Sequence, residues 1–327
     1  MSDDGTLTSR RSVDRMREAG ASRKTVIIAL TANAVIAVTK LAGGLISGST
    51  ALLAEAAHSL ADTANQSFLL VSIALAKREP DADQPFGHGR QRYVWTFLAA
   101  VSMFVAGATF AVGYGIVELV AGGESSGGFL VAWITLAIAL LAEGASWIRA
   151  VRQTRGEAKE AGRPWLKHVR NSRDPSVKMV LFEDSAALLG VLIACAGIGL
   201  HQLTGQPYWD AGASVAIGLL LIGVAIWMGT DTGRLLTGAA ARPDEREQIG
   251  RVLEDDPGVV EVVELLTMVL GPNALLVAAR LDVDDDLDGA GVEQAATRLD
   301  RKLRDALPDV TEVFLDATPA SARERQA

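Results

Sequence analysis

The chain has 327 residues, of which 49% are hydrophobic, and its mean hydropathy of +0.24 is high for a soluble protein of this length. The net charge is −8, and it is concentrated after Leu235, where 20 acidic and 10 basic side chains give −10. This acidic region argues against a nucleic-acid partner, which needs a basic surface. The single cysteine, Cys195, excludes an intrachain disulfide. The composition therefore indicates a membrane protein with a soluble part.

Six apolar segments are long enough to cross a hydrocarbon core of about 30 Å as helices. They are Thr25–Ile46, Thr50–Ala76, Tyr93–Val120, Phe129–Ile148, Lys178–Leu200 and Trp209–Met228. Small residues are frequent in these segments, as in "LAGGLISG", and small residues allow transmembrane helices to pack closely. We therefore predict an α-helical membrane protein with six transmembrane helices.

The connections between the predicted helices differ in charge. Residues 47–49, 122–128 and 201–208 contain no Lys or Arg, whereas the remaining connections and the N-terminal region are basic. By the positive-inside rule, the basic connections and both termini are cytoplasmic. We expect an integral protein of the cell or inner membrane, whose basic segment 149–173 contacts anionic membrane lipids.

The pattern changes after the sixth segment. A charged helical segment is followed by the apolar stretch "VVEVVELLTMVL", a "GPN" turn, a second strand, an amphipathic helix and a last strand, "TEVFLDAT". The order α-β-β-α-β predicts a small cytoplasmic α+β domain of the ferredoxin-like kind. The expected division is a tail (1–22), a six-helix transmembrane domain (23–235), the α+β domain (236–318) and a second tail (319–327).

The second predicted helix carries polar residues where lipid would surround it. Glu55, His58, Asp62 and Asn65 are three or four positions apart, so one face of the helix presents them all. Ionisable groups at this depth are costly and usually face a cavity with partners. A histidine and a carboxylate at i and i+4 can bind one metal ion from a single helix.

The fifth predicted helix contributes adjacent carboxylates, Glu183 and Asp184. Neighbouring helix positions point about 100° apart, so only one of them is expected to face His58 and Asp62. Asp184 is favoured as the ligand, with Glu183 at the entrance or behind it, and the fourth ligand is water, Asn65 or Glu183. Such a nitrogen and oxygen site suits Zn²⁺ and also admits Mn²⁺ or Fe²⁺.

Other interpretations of these residues stay open. The polar groups could hold helices together without binding an ion. The chain contains no HExxH, nucleophile elbow or Walker motif, so we expect a protein that is not an enzyme. The remaining alternatives are an intramembrane metal-dependent hydrolase, with Glu183 as the base, and a non-transporting membrane scaffold that tolerates Asp62→Asn.

Four motifs carry a resemblance to a known family: "AEAAHSLADTANQ", "PFGHGRQRY", "FEDSAALLG" and "DAGASVAIGLLL". Together they resemble the cation diffusion facilitator family of divalent-metal transporters, from about residue 25 to residue 318. The resemblance implies a homodimer that exports Zn²⁺, or Mn²⁺, Fe²⁺, Co²⁺ or Cd²⁺, in exchange for protons by alternating access. It also implies a transport site formed by His58, Asp62 and Asp184.

The chain departs from the family pattern at several positions. Many zinc-transporting relatives carry His or Asp where this chain has Val180. Some relatives bind a second metal in the loop after the second helix, which makes Asp81 and His88 candidate ligands, although Gln84 stands where a third histidine would be. The predicted α+β domain contains no histidine, so the resemblance implies dimerisation for this domain more than metal binding.

Overall fold

The computed structural model describes residues 30–76, 78–122, 128–160, 162, 164–171 and 175–318. Both expected tails, 1–22 and 319–327, lie outside these ranges. Within these ranges the chain forms two compact units, the first made of residues from 30 to 74 and from 95 to 230, the second of residues from 75 to 94 and from 231 to 318. The second unit thus includes the connection after the second helix, which falls within the range expected for the transmembrane domain.

Long helices dominate the first part of the chain. In chain order they are α1 (Leu30–Ser47), α2 (Thr50–Ala76), α3 (Gln91–Ala121), α4 (Phe129–Glu160), the short α5 (Trp165–Asn171), α6 (Pro175–Thr204) and α7 (Tyr208–Leu236). Within the described ranges, α1, α3, α4, α6 and α7 are long and apolar enough to cross a membrane. Helix α2 has 27 residues, a spanning length, but the polar residues on it lower its hydropathy. The predicted helical membrane domain is confirmed.

Glycines set how closely these helices approach each other. A Cβ atom at Gly43 of α1 would lie 2.9 Å from the Cβ of Thr135 in α4, closer than side chains pack. A Cβ atom at Gly218 of α7 would lie 2.9 Å from the backbone nitrogen of Val112 in α3. Because lipid supplies no hydrophobic drive for helix association, close van der Waals packing at such positions stabilises the bundle.

The basic segment expected to be a connection from residue 149 to 173 is largely helical. Helix α4 continues to Glu160, and α5 folds back so that the indole nitrogen of Trp165 donates a hydrogen bond of 2.9 Å to the hydroxyl of Thr154. Buried Ala150 and Val151 of α4 belong to one apolar cluster, against which Trp165 of α5 packs. In α4 the exposed Arg149, Arg152, Arg155 and Lys159 lie on one side of the helix and buried Ala150, Val151 and Ala158 on the other, so this part of the expected connection is helical.

The C-terminal unit has the predicted order of elements. They are α8 (Pro243–Glu254), β1 (Val259–Gly271), β2 (Ala274–Val283), α9 (Gly289–Ala306) and β3 (Val310–Ala317). The sheet has the order β1-β2-β3, with β1 antiparallel and β3 parallel to the central strand. Its core packs Ile249 and Leu253 of α8 and Leu299 and Leu303 of α9 against the strands. The predicted α+β domain is confirmed.

The connection that carries "PFGHGRQRY" packs on this sheet. The side chain of Tyr93 is fully buried in the core of the C-terminal unit. The rings of Phe86 and Phe314 meet edge to face, with centroids 6.4 Å apart. A Cβ atom at Gly89 would lie 2.9 Å from the carbonyl oxygen of Leu270, so this motif requires a glycine there for the backbones to approach.

Candidate functional site

The polar stripe on α2 is buried inside the helical bundle. Glu55, His58 and Asn65 have no exposed surface, and Asp62 is 4% exposed. Both ring nitrogens of His58 and one side-chain oxygen of each of Asp62 and Asn65 have no hydrogen-bond partner in the protein. Buried polar atoms are normally hydrogen-bonded, so this run of unpartnered donors and acceptors along one helix face has the chemistry of a ligand-binding site.

His58 and Asp62 face each other along the stripe. The Nε2 atom of His58 lies 3.6 Å from Oδ2 of Asp62, which is beyond hydrogen-bond length for this pair. One helical turn separates the two residues, and this spacing directs an imidazole nitrogen and a carboxylate oxygen to the same side. Both atoms could therefore contact one ion placed beside the helix.

Helix α6 adds one carboxylate to this stripe, that of Glu183. Its Oε1 accepts a hydrogen bond of 3.2 Å from the amide of Asn65, which belongs to the stripe. Oδ2 of Asp184 instead accepts a hydrogen bond of 2.9 Å from the hydroxyl of Ser146 in α4. The sequence favoured Asp184, but the rotation of α6 directs Glu183 to the α2 stripe and Asp184 to α4.

The structure thus brings His58, Asp62, Asn65 and Glu183 together. In the ranges that the structure describes, no group of three or more His, Cys, Asp or Glu side chains has the arrangement of a metal site. The predicted ligand set, including the role of Asp184, therefore stays a prediction.

A second buried cluster of charges escaped the sequence analysis. The ammonium group of Lys40 in α1 donates to Oε2 of Glu55 at 2.9 Å and to Oε1 of Glu143 in α4 at 3.1 Å. Lys40 is 1% exposed and Glu143 7% exposed. A signal was available, because Lys40 and Glu143 are each the only charged residue in an apolar run, 30–47 and 129–148 respectively.

The loop candidates Asp81 and His88 also meet. Nε2 of His88 lies 3.0 Å from Oδ2 of Asp81, while Oδ1 of Asp81 accepts a 2.7 Å hydrogen bond from the backbone of Gln84. This backbone bond, followed by the contact with His88, holds the pKa of Asp81 below its usual value. The side chain of Asp81 is about half exposed, and the role of Asp81 and His88 as metal ligands stays a prediction.

A carboxylate from α7 fastens the start of α2. Asp210 accepts a hydrogen bond of 2.9 Å from the hydroxyl of Ser49 and one of 2.6 Å from the backbone nitrogen of Thr50. The sequence analysis did not assign this contact. An acceptor at these first amides satisfies donors that the helix itself leaves free, so Asp210 caps α2.

A bundle of long apolar helices that buries a histidine and several carboxylates, followed by a small α+β domain, defines an integral membrane protein with ionisable side chains in the interior of its helical part. Residues 26–237 match the family described as "Cation efflux transmembrane domain", and residues 241–320 match "Cation efflux protein, cytoplasmic domain". The chain belongs to the cation efflux family.

Proteins from several organisms are similar in sequence to most of this chain. The "Proton-coupled zinc antiporter SLC30A9, mitochondrial" of Xenopus laevis is 33% identical over 80% of this chain and 46% of its own length. "Metal tolerance protein C4" of Arabidopsis thaliana is 29% identical over 81% of this chain and 58% of its own. The chain therefore spans about half the length of these two relatives. "Manganese efflux system protein MneP" of Bacillus subtilis is 25% identical over 91% of this chain and 96% of its own.

Proposed function

We propose that this protein exports a divalent metal ion, with zinc as the first candidate, across a membrane in exchange for protons. The observation that carries the proposal is the buried α2 stripe, whose imidazole nitrogens and carboxylate oxygen have no protein partner. Family membership supports cation efflux in general. The choice of zinc and of proton exchange draws on the name of the SLC30A9 relatives and on the mixed nitrogen and oxygen ligands.

His58 and Asp62 are the proposed core of the transport site. The third ligand is a carboxylate of α6, for which the hydrogen bond from Asn65 to Glu183 favours Glu183. Asp184 is the competing candidate, because it is the neighbouring carboxylate on the same helix and the resemblance to the family implies it as a ligand. Asn65 supplies an amide oxygen that has no other partner.

Coupling follows from competition for the same atoms. A metal ion binds the neutral imidazole and the ionised carboxylates, so it releases protons when it binds, and protonation of the ligands releases the metal. Imidazole is suited to this exchange because its ordinary pKa lies near cellular pH. The cytosol-facing state binds metal, and the outward-facing state takes up protons.

The remaining features of the assembly are inferred from the family and from the charge pattern. We infer a homodimer in which residues 236–318 contribute to the contact, as the match to the cytoplasmic domain of cation efflux proteins supports. The basic connections support cytoplasmic termini and contact of segment 149–173 with membrane lipids.

The first test is transport by the purified protein in liposomes. We expect zinc uptake with opposite proton movement, recorded by a zinc dye and a pH dye, and loss of both signals in His58→Ala and Asp62→Ala. The same assay is run with Mn²⁺, Fe²⁺, Co²⁺ and Cd²⁺. No flux of any ion, together with an Asp62→Asn variant that has the same properties as the original protein, would favour a non-transporting scaffold. Release of a product from a lipid or peptide would favour a hydrolase.

The second test separates the two adjacent carboxylates. Glu183→Gln and Asp184→Asn each remove one charge at nearly constant volume, so each serves as the matched control for the other. We expect Glu183→Gln to weaken zinc transport at least tenfold more than Asp184→Asn, because Glu183 accepts its hydrogen bond from the α2 stripe and Asp184 accepts one from Ser146 of α4. The opposite order would assign the ligand role to Asp184.

Manganese is the second candidate ion. The carboxylates Asp62 and Glu183 suit Mn²⁺, Val180 stands where many zinc-transporting relatives carry His or Asp, and one relative is named a manganese efflux protein. Faster transport of Mn²⁺ than of Zn²⁺ at equal free concentration would select this function.

A further inference from the structure

The cluster of Lys40, Glu55 and Glu143 supplies none of the ligands proposed for the transport site. Its three residues come from α1, α2 and α4, and none is more than 7% exposed. Removing such charges from water costs several kcal/mol per ion, and apolar side chains at the same three positions would pack without that cost. The cluster therefore calls for an explanation beyond helix packing.

The two carboxylates converge on a single cation, the ammonium group of Lys40. Both accept a hydrogen bond from one ammonium group, at 2.9 and 3.1 Å, the lengths of charge-assisted bonds. The second oxygen of Glu55, Oε1, is buried and has no partner. It lies against Gly190 of α6, where any side chain would occupy the same space. One carboxylate oxygen thus remains available to a bound ion.

The cluster also continues the stripe of the proposed transport site. Glu55 lies one turn before His58 on the same face of α2, and both ring nitrogens of His58 are unpartnered. A cation held by Glu55 and Glu143 would thus be a neighbour of the His58 and Asp62 site.

We propose that Glu55 and Glu143 form a second divalent-cation site, which the ammonium group of Lys40 fills as a tethered competitor. This inference deepens the proposed transport function, but the site itself requires only the two carboxylates. Lys40 balances their charge when no metal is present, and an ion that reaches Glu55 must displace it. Mn²⁺ is the probe of choice, because carboxylate and water ligands suit it.

The test measures manganese binding to the full-length protein in detergent, without transport. All variants carry His58→Ala and Asp62→Ala, so that the proposed transport site is silent and failure there cannot mimic failure here. After equilibrium dialysis against MnCl₂, we expect Lys40→Ala to hold one more Mn²⁺ per protomer than the background. Lys40→Arg, which keeps a cation, and the uncharged variant Lys40→Ala/Glu55→Gln/Glu143→Gln should show no gain.

Thermal unfolding gives an independent readout. Lys40→Ala leaves two buried carboxylates without a counter-charge, so its melting temperature should rise with added MnCl₂, while that of the uncharged variant stays constant. Folded Lys40→Ala without an additional Mn²⁺ overturns the proposal. So does a Lys40→Ala protein that fails to fold at every MnCl₂ concentration, because the lysine would then serve structure alone.

Discussion

Gly190 provides a stringent check of the packing between α6 and α2. A Cβ atom at this position would overlap Oε1 of Glu55 and lie 3.2 Å from its Cδ atom. The carboxylate cannot turn away freely, because its other oxygen accepts the 2.9 Å bond from Lys40 and the side chain is completely buried. Gly190→Ala therefore forces Glu55 to give up a contact with Lys40.

Two opposing free-energy contributions set the size of the stability change in Gly190→Ala. Loss of a hydrogen bond to a charged group costs about 1.5–3 kcal/mol, and the better helix propensity of alanine returns about 0.8–1.0 kcal/mol. We expect Gly190→Ala to lower the free energy of unfolding by about 1–2 kcal/mol. At about 2–4 °C per kcal/mol, the melting temperature falls by several degrees.

The assay is thermal unfolding of the detergent-solubilised protein. Gly223→Ala is the matched control, since a Cβ atom at this α7 position meets no atom within 4 Å, and it should leave stability equal or slightly higher. Glu55→Ala removes the overlapping atoms, so adding Gly190→Ala in that background should cost nothing further. Equal stability of the two glycine variants, or additive losses in the double variant, would refute the reasoning.

Two further predictions concern carboxylates outside the α2 stripe. Asp256 is buried, and its hydrogen bonds from Arg298 and Lys302 hold its pKa well below the usual range. Asp256→Asn should lower the free energy of unfolding by about 1.5–2 kcal/mol at pH 7; the loss is moderate because both cations stay partly solvated. Because the pKa of Asp256 is lower in the folded state, this loss of stability should be complete above pH 5 and shrink as the pH falls below about 4. Urea unfolding at several pH values measures the loss, and a loss that grows on acidification would contradict the prediction. Asp210→Ala should cost about 1 kcal/mol by uncapping α2 at Thr50, seen as faster amide hydrogen exchange in its first turn; unchanged exchange there would exclude the cap.

The local features of this protein could be predicted from the sequence. Helix-length apolar runs, the change to an α-β-β-α-β pattern after residue 235 and the polar stripe from Glu55 to Asn65 follow from residue spacing, and spacing is a property of a single element. The helical structure of the basic segment after Ile148 was not predicted, because its many charged residues obscured the apolar positions at helical spacing.

Contacts between elements were decided only by the tertiary structure. The sequence limits the predicted ligand on α6 to Glu183 or Asp184, but which of the two faces the α2 stripe depends on how that helix is rotated against its neighbours. Lys40 and Glu143 are 103 positions apart, and nothing local reveals that Glu55 lies between them. The sequence by itself determined which polar groups enter the membrane; the packing of the helices determined which of them meet, since partners at close range depend on rotation and depth rather than on spacing along one chain segment.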